Sequence, residues 1–295
     1  MSAPPLFARM LDDAALFPPG DAPMAEALPR HRALRRGSRA DYVGPFIVAD
    51  AWLGDLEAAL AREAERAGTP ARTEAPLEVT VTVPGGPAGV GPALQRAGRM
   101  PGVRVVGAEV AAAPGEPSAG VLAAAAALTD HLPQGAHGHV EVPRGGDRSP
   151  AVAALAEAGH RAKFRTGGVR ADAFPSEAEL AAALAAAVAA GVPAKCTAGL
   201  HNAVRHTSAE TGFEHHGFLN VLMAVDALLG GARAAQAESV LAERDGKSLA
   251  REAQGVLGDE RRSRALRAAF TGFGTCSVDE PLEDLDALGL LPDDA

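Results

Sequence analysis

Lysine is nearly absent from this chain. Of 28 basic residues only Lys163, Lys195 and Lys247 are lysine, and the rest are arginine. The bias toward Ala, Gly, Arg and Pro fits a GC-rich coding sequence, in which a surface lysine is readily replaced by arginine. A lysine that persists marks a position where guanidinium does not serve, because guanidinium does not deprotonate in proteins. Cysteine is also scarce. Cys196 and Cys276 are too few for a disulfide scaffold and lack metal-type spacing, so the expected compartment is a reducing cytoplasm. Aromatic residues make up 4% and the formal charge is −9. That balance excludes the basic stripe with stacking rings of a nucleic-acid binder. No basic segment followed by an apolar one opens the chain, so no signal peptide is expected. The longest apolar run, Ala178–Ala194, is mostly alanine and falls short of the roughly 20 strongly apolar residues of a membrane span. No membrane partner is expected.

What is present is a βα rhythm. Runs with strand character are Tyr42–Val48, Leu77–Val83, Val103–Val110, His137–Val142, His160–Arg165 and Val192–Ala198, with a last run at Thr271–Val278. They recur at about the length of a βα unit. Helical signals fill the gaps. Leu53, Leu56 and Leu60 form an i, i+3, i+7 stripe. Ser149-Pro150 reads as an N-cap followed by proline at the first helical position, with Gly159 as the C-cap glycine. Ser176 with Glu179 makes a capping box ahead of the stripe Leu180, Leu184 and Val188, and Gly191 closes that helix. Gly217–Gly230 is another helix, and a short one is expected near Leu282–Leu288. An additional strand at Ala14–Phe17, followed by a helix around Met24–Arg36, brings the count to eight.

The fold class expected is α/β, a (β/α)8 barrel of the TIM type forming a single domain over residues 1–295, with a helical insertion after strand 7 between Leu200 and Phe270. An open doubly wound sheet is the alternative; it lacks the G-x-G-x-x-G that such a sheet would carry after its first strand.

Strand parity then places side chains. In His160–Arg165, Ala162 and Phe164 face the helices, so Lys163 and Arg165 point inward. Lys195 and Thr197 share the inward face of the next strand. The same reasoning turns in Glu109, His139, Glu141, Thr80 and Thr82. Unpaired buried charges cost several kcal/mol each, so these groups form either a working site at the C-terminal strand ends or a structural ion network. A second cluster follows strand 7, with His201, Arg205, His206, His215, His216 and Asn220. It suggests a loop over the barrel mouth that binds an anion or moves protons, or a metal site of unfamiliar spacing. Gly272 and Gly274, in G-F-G-T-C-S, offer backbone N–H groups where barrels often bind phosphate; close packing is the alternative.

The motifs L-D-D-A-A-L-F-P-P-G, K-F-R-T-G-G, K-C-T-A-G-L-H and H-H-G-F-L-N resemble those of an uncharacterised family of bacterial hypothetical proteins. Lys163 before F-R-T-G-G and Lys195 before C-T-A-G-L also show a fainter similarity to deoxyribose-phosphate aldolase and related class I barrel aldolases. Those enzymes carry a Schiff-base lysine on strand 6 and a second lysine on strand 7. The residue types after each lysine differ here, and their strand-4 acid has only Glu109 or Glu141 as a stand-in. The resemblance implies Lys163 as the Schiff-base lysine and Lys195 as the neighbour that lowers its pKa.

The function expected is a barrel enzyme, aldolase-like and without cofactor or metal, acting on a small anionic carbonyl or phosphorylated metabolite. Lys163 is the expected nucleophile. Lys195 helps keep it neutral, and Glu141 or Glu109 moves protons. Arg165, Thr197, His201, Arg205, Gly272 and Gly274 hold the substrate. One alternative is a metal-dependent hydrolase or lyase built on His201, His206, His215 and His216. Another is a non-catalytic barrel that binds an anionic metabolite. The sequence leaves a homo-oligomer open.

Overall fold

The computed structural model of the protein describes residues 3–67, 75–113 and 116–292. Eight parallel strands close on one another: β1 (Leu11–Asp13), β2 (Val43–Ala49), β3 (Leu77–Val83), β4 (Val103–Ala111), β5 (His137–Glu141), β6 (Arg161–Arg165), β7 (Ala194–Thr197) and, after a two-stranded ribbon of β8 (His206–Thr207) and β9 (Glu214–His215), β10 (Phe270–Thr275). Their order around the barrel follows the chain, with β10 between β7 and β1. This is a (β/α)8 barrel, and every barrel pairing is parallel.

The outer layer is α1 (Met24–Leu34), α2 (Leu53–Ala67), α3 (Val90–Gly98), α4 (Pro117–His131), α5 (Ser149–Ala158), α6 (Glu177–Ala189), α7 (Phe218–Leu229), α8 (Ala234–Ala242), α9 (Gly246–Leu257), α10 (Glu260–Ala269) and α11 (Asp279–Ala287). Among the described residues no helix is long and apolar enough to cross a membrane.

The local signals act largely as their chemistry dictates. Gly159 adopts φ 71° after α5, a left-handed geometry that glycine takes without steric cost. The Ser176 hydroxyl accepts from the Glu179 N–H at the start of α6. The reciprocal half of that capping box is replaced by ion pairing, because Arg144 and Arg148 take the Glu179 carboxylate. At α5 the expected cap shifts by one residue. Ser149 is the first helical residue, and the Asp147 carboxylate accepts from its N–H.

The first strand differs more. It is Leu11–Asp13, not Ala14–Phe17. The Ala14 N–H still bonds to the Thr275 carbonyl, but the Ala15 N–H turns back to the Asp13 carboxylate and the Phe17 N–H to the Ala14 carbonyl. Residues 14–17 therefore form a turn. Asp12 and Asp13 occupy the strand, and the pleat sends them to opposite faces. Asp13 faces outward and meets buried His31 of α1 at 2.9 Å. Asp12 faces the barrel interior.

The insertion after β7 holds the ribbon and helices α7 to α10. Helix α7 is apolar on nearly every face and buried through most of its length, as a helix enclosed by others should be. It packs against α6, α8, α9 and α10. Asn220 within it ties the insertion together: its Oδ1 accepts from the Arg205 N–H, and its Nδ2 donates to the Val240 and Glu243 carbonyls.

Candidate functional site

The pleat of each central strand sorts its residues by chemistry. On β6, Ala162 and Phe164 are buried under the helices, so Lys163 enters the interior. On β7, Lys195 does the same between buried Ala194 and Cys196. Strand β4 contributes Glu109, β5 contributes His139 and Glu141, and β1 contributes Asp12. Neighbouring strands bring Glu109 level with His139, Glu141 level with Lys163, and Lys163 level with Lys195.

These groups meet. The Glu109 carboxylate bridges the two lysines, with Oε2 at 2.9 Å from Lys163 Nζ and Oε1 at 2.5 Å from Lys195 Nζ. Lys163 has a second partner in Glu141, at 3.1 Å. Lys195 has one in Asp12. Arg165 Nη1 stands 3.9 Å from Glu141 at the edge of the cluster. Side-chain exposure rises from 2% at Glu109 to 11% at Lys163, 26% at Glu141 and 47% at Arg165. The cluster thus opens toward the C-terminal strand ends, the side on which barrel enzymes place their chemistry.

The electrostatics correct one expectation. Burial alone would lower the pKa of Lys163, but Glu109 and Glu141 outweigh it and hold the pKa above its ordinary value. Burial acts on Lys195 in the same way and is overcome by Asp12 and Glu109. Lys195 therefore does not make Lys163 neutral. A carboxylate lies between the two ammonium groups, and each ammonium feels its opposite charge at hydrogen-bond distance. Glu109, although buried, is held far below the usual carboxylate range by Lys163 and Lys195. For Asp12 burial wins and the pKa rises. Burial, then Lys195, pushes the His139 imidazole well below its ordinary value.

The other expected residues are dispersed. Thr197 lies level with Arg165 and Gly274, and its buried Oγ1 has no hydrogen-bond partner. His201 turns toward β10, with Nδ1 at 3.2 Å from Glu280 and 3.5 Å from Cys276 Sγ. Burial pushes that thiol up to about 11, and pushes Cys196 up to about 12. Arg205 was expected to hold substrate. It is buried instead, bonded to Glu177 at 2.8 Å and Glu214 at 3.1 Å, and these two carboxylates occupy the guanidinium. Gly272, also expected to contact an anion, has φ 150°, and a Cβ there would stand 2.9 Å from the Met10 carbonyl oxygen. Its task is the close approach of β10 to the chain entering β1. Gly274 sits within β10 beside Thr197 and Ala14.

The histidines of the insertion do not converge. His206 and His215 stack with ring centroids 5.2 Å apart, and His215 also packs on Phe174. His216 is buried, its Nε2 donating to the Pro175 carbonyl at 2.8 Å. His201 turns instead to Glu280. Among the described residues no group of three or more His, Cys, Asp or Glu side chains is placed to hold a metal. The ribbon packs on the loop after β6 through Phe174, so this segment does lie at the mouth side of β6 and β7.

Sequence reasoning missed Asp12, because the first strand was placed three residues late. The adjacent pair Asp12-Asp13, following an apolar residue, was the available signal: in a strand one of two consecutive carboxylates must point inward. No family model, curated protein or solved structure matches the chain.

Proposed function

We propose that this barrel is a class I aldolase-like lyase that forms a Schiff base between Lys163 and a small anionic carbonyl compound. The observation that carries this reading is the Glu109 carboxylate held between Lys163 and Lys195. It places a carboxylate of β4 between lysines of β6 and β7, so that an amine nucleophile and a proton-handling acid lie at hydrogen-bond distance. The graded exposure toward Arg165 supports a substrate entering from the C-terminal end.

Lys163 rests as an ammonium, so the first step is its deprotonation. Glu141, at 3.1 Å, is placed to take the proton. The freed Nζ adds to the carbonyl carbon, and the resulting carbinolamine loses water to give the iminium. Glu141 returns its proton to the departing water and is free to take the proton of the substrate's β-hydroxyl; the bond between the α and β carbons then breaks, its electron pair becomes an enamine, and the β carbon leaves as an aldehyde. The α carbon of the enamine takes a proton back, and water hydrolyses the resulting iminium to release the second product and regenerate the amine. Lys195 stays charged between Asp12 and Glu109 and holds Glu109 in place; it is a positioning residue. Arg165 and the unpartnered Thr197 hydroxyl are suited to the anionic group. A buried Cys196 and a half-buried Cys276, both thiols raised in pKa, suit a reducing cytoplasm.

The upward shift of both lysine pKa values favours a second reading, a barrel whose ion network is structural and whose mouth binds an anion without turnover. Reductive trapping separates the two. The protein is incubated with small aldehydes and ketones and with borohydride, then digested and mapped by mass. Covalent addition at Lys163, lost in Lys163→Arg, is expected. Absence of addition at Lys163 across hydroxylated, phosphorylated and carboxylated carbonyl compounds leaves the second reading standing.

A further inference from the structure

The barrel has a second opening, at the end opposite Lys163. A cavity of about 480 Å³ lies among residues at the N-terminal ends of the strands, a size usual for small-molecule sites. Arg9 precedes β1, Glu78 is the second residue of β3, His137 and Arg161 begin β5 and β6, and Thr271 is the second residue of β10. The floor is Lys195 with Asp12.

Two of its groups lack partners. Arg161 is half-buried and, among the described residues, has no hydrogen bond or ion pair; burial lowers its pKa with no carboxylate to oppose it. His139 is buried, and its Nδ1 has no hydrogen-bond partner. Its other nitrogen fixes what Nδ1 needs. The Thr271 hydroxyl donates to the Ala194 carbonyl at 3.2 Å, so it accepts from His139 Nε2–H at 3.4 Å. A neutral ring with its proton on Nε2 presents a bare lone pair at Nδ1, which calls for a donor. The two carboxylates of the cavity are already occupied. Lys195 takes Asp12, while Arg9, Arg35 and Arg104 converge on the single Glu78. An excess of positive charge thus surrounds a cavity containing one unpaired guanidinium and one unpaired acceptor.

We infer that the N-terminal end of the barrel binds a small organic anion that bears a hydroxyl group, with Arg161 holding the anionic group and His139 Nδ1 accepting from the hydroxyl. The site is separate from the mouth at Arg165 and does not depend on the Schiff-base reading. Charge-assisted contact to Arg161 supplies most of the affinity, and the histidine supplies the preference for a hydroxylated ligand.

Calorimetric titration of the intact protein with glycerol phosphate, inorganic phosphate and glycerol tests this. Glycerol phosphate is expected to bind more tightly than inorganic phosphate, and glycerol not to bind. Arg161→Gln should weaken both anions by roughly tenfold or more. His139→Phe should remove the preference for glycerol phosphate over inorganic phosphate. Should that variant unfold, the His139 ring nitrogen resonances of the wild type are expected to shift on titration with glycerol phosphate. Because Arg165 at the mouth is itself suited to an anion, the titrations are repeated in the Arg165→Gln background, where the binding that depends on Arg161 should persist. The inference is overturned if neither anion binds the folded protein at millimolar concentration. It is equally overturned if Arg165→Gln weakens binding while Arg161→Gln does not, or if the His139 ring is unaffected by bound ligand.

Discussion

Lys163 is held charged by the groups positioned to take its proton, and this sets the pH dependence of any chemistry it performs. Its pKa lies above the ordinary value, so at neutral pH the reactive amine is a small fraction, growing tenfold with each pH unit below that pKa. Imine formation should therefore climb through the alkaline range without levelling near neutrality. Glu141→Gln removes one of the two stabilising carboxylates, so the pKa should fall and the rising limb should move to lower pH. At a fixed neutral pH trapping then becomes faster if proton removal does not limit the rate, and slower if Glu141 is the required base. Trapping rate against pH, for both proteins, checks the shift. That Lys163 points into the barrel was legible from strand parity. The sign of its pKa shift was not, because it depends on whether Glu109 lies between the two lysines or beyond one of them. Parity places a side chain on a face but does not give the distance between faces.

At the scale of elements, strands β3 to β7 were readable because each carries alternating buried and polar positions bounded by turns. The first strand was placed three residues late, so Asp12 and Asp13 fell before it and were given no facing. Asp12 consequently stayed outside the site although its motif had been recognised. The insertion was legible as an insertion, but the fate of its polar residues was not. His206, His215 and His216 are close in sequence, yet His206 and His215 stack within the ribbon while His216 turns to the loop after β6. Asn220 shows what holds that segment. It serves one N–H and two carbonyls from three places in the chain. Asn220→Ala should cost about 2–4 kcal/mol, since buried backbone groups lose their partners. A denaturant titration reads this directly, and hydrogen exchange should accelerate first around Arg205 and the end of α8.

For the molecule as a whole, the acid limb of stability follows from histidines that resist protonation. His139, His216, His215, His160 and His137 all have pKa values lowered mainly by burial. Below the ordinary histidine value of about 6.5 the unfolded chain binds protons that the folded chain refuses, so stability falls as pH falls. Asp12 has the opposite sign. Its raised pKa lets the folded state take a proton before the unfolded one, which offsets part of the loss at the lower end of that range. Denaturant midpoints should decline from pH 7 to pH 5, and His139→Phe should flatten the decline.

The barrel's use of lysine also decides how the protein presents itself to amine chemistry. Lys163 and Lys195 are enclosed, and Lys247, near the start of α9, is exposed. An amine-directed cross-linker, fluorophore or resin therefore finds a single lysine on the exterior. Arginine, which these reagents leave alone, supplies the remaining basic side chains. Among lysine side chains, coupling would go through Lys247 of α9 alone, leaving Lys163 and Lys195 chemically unaltered.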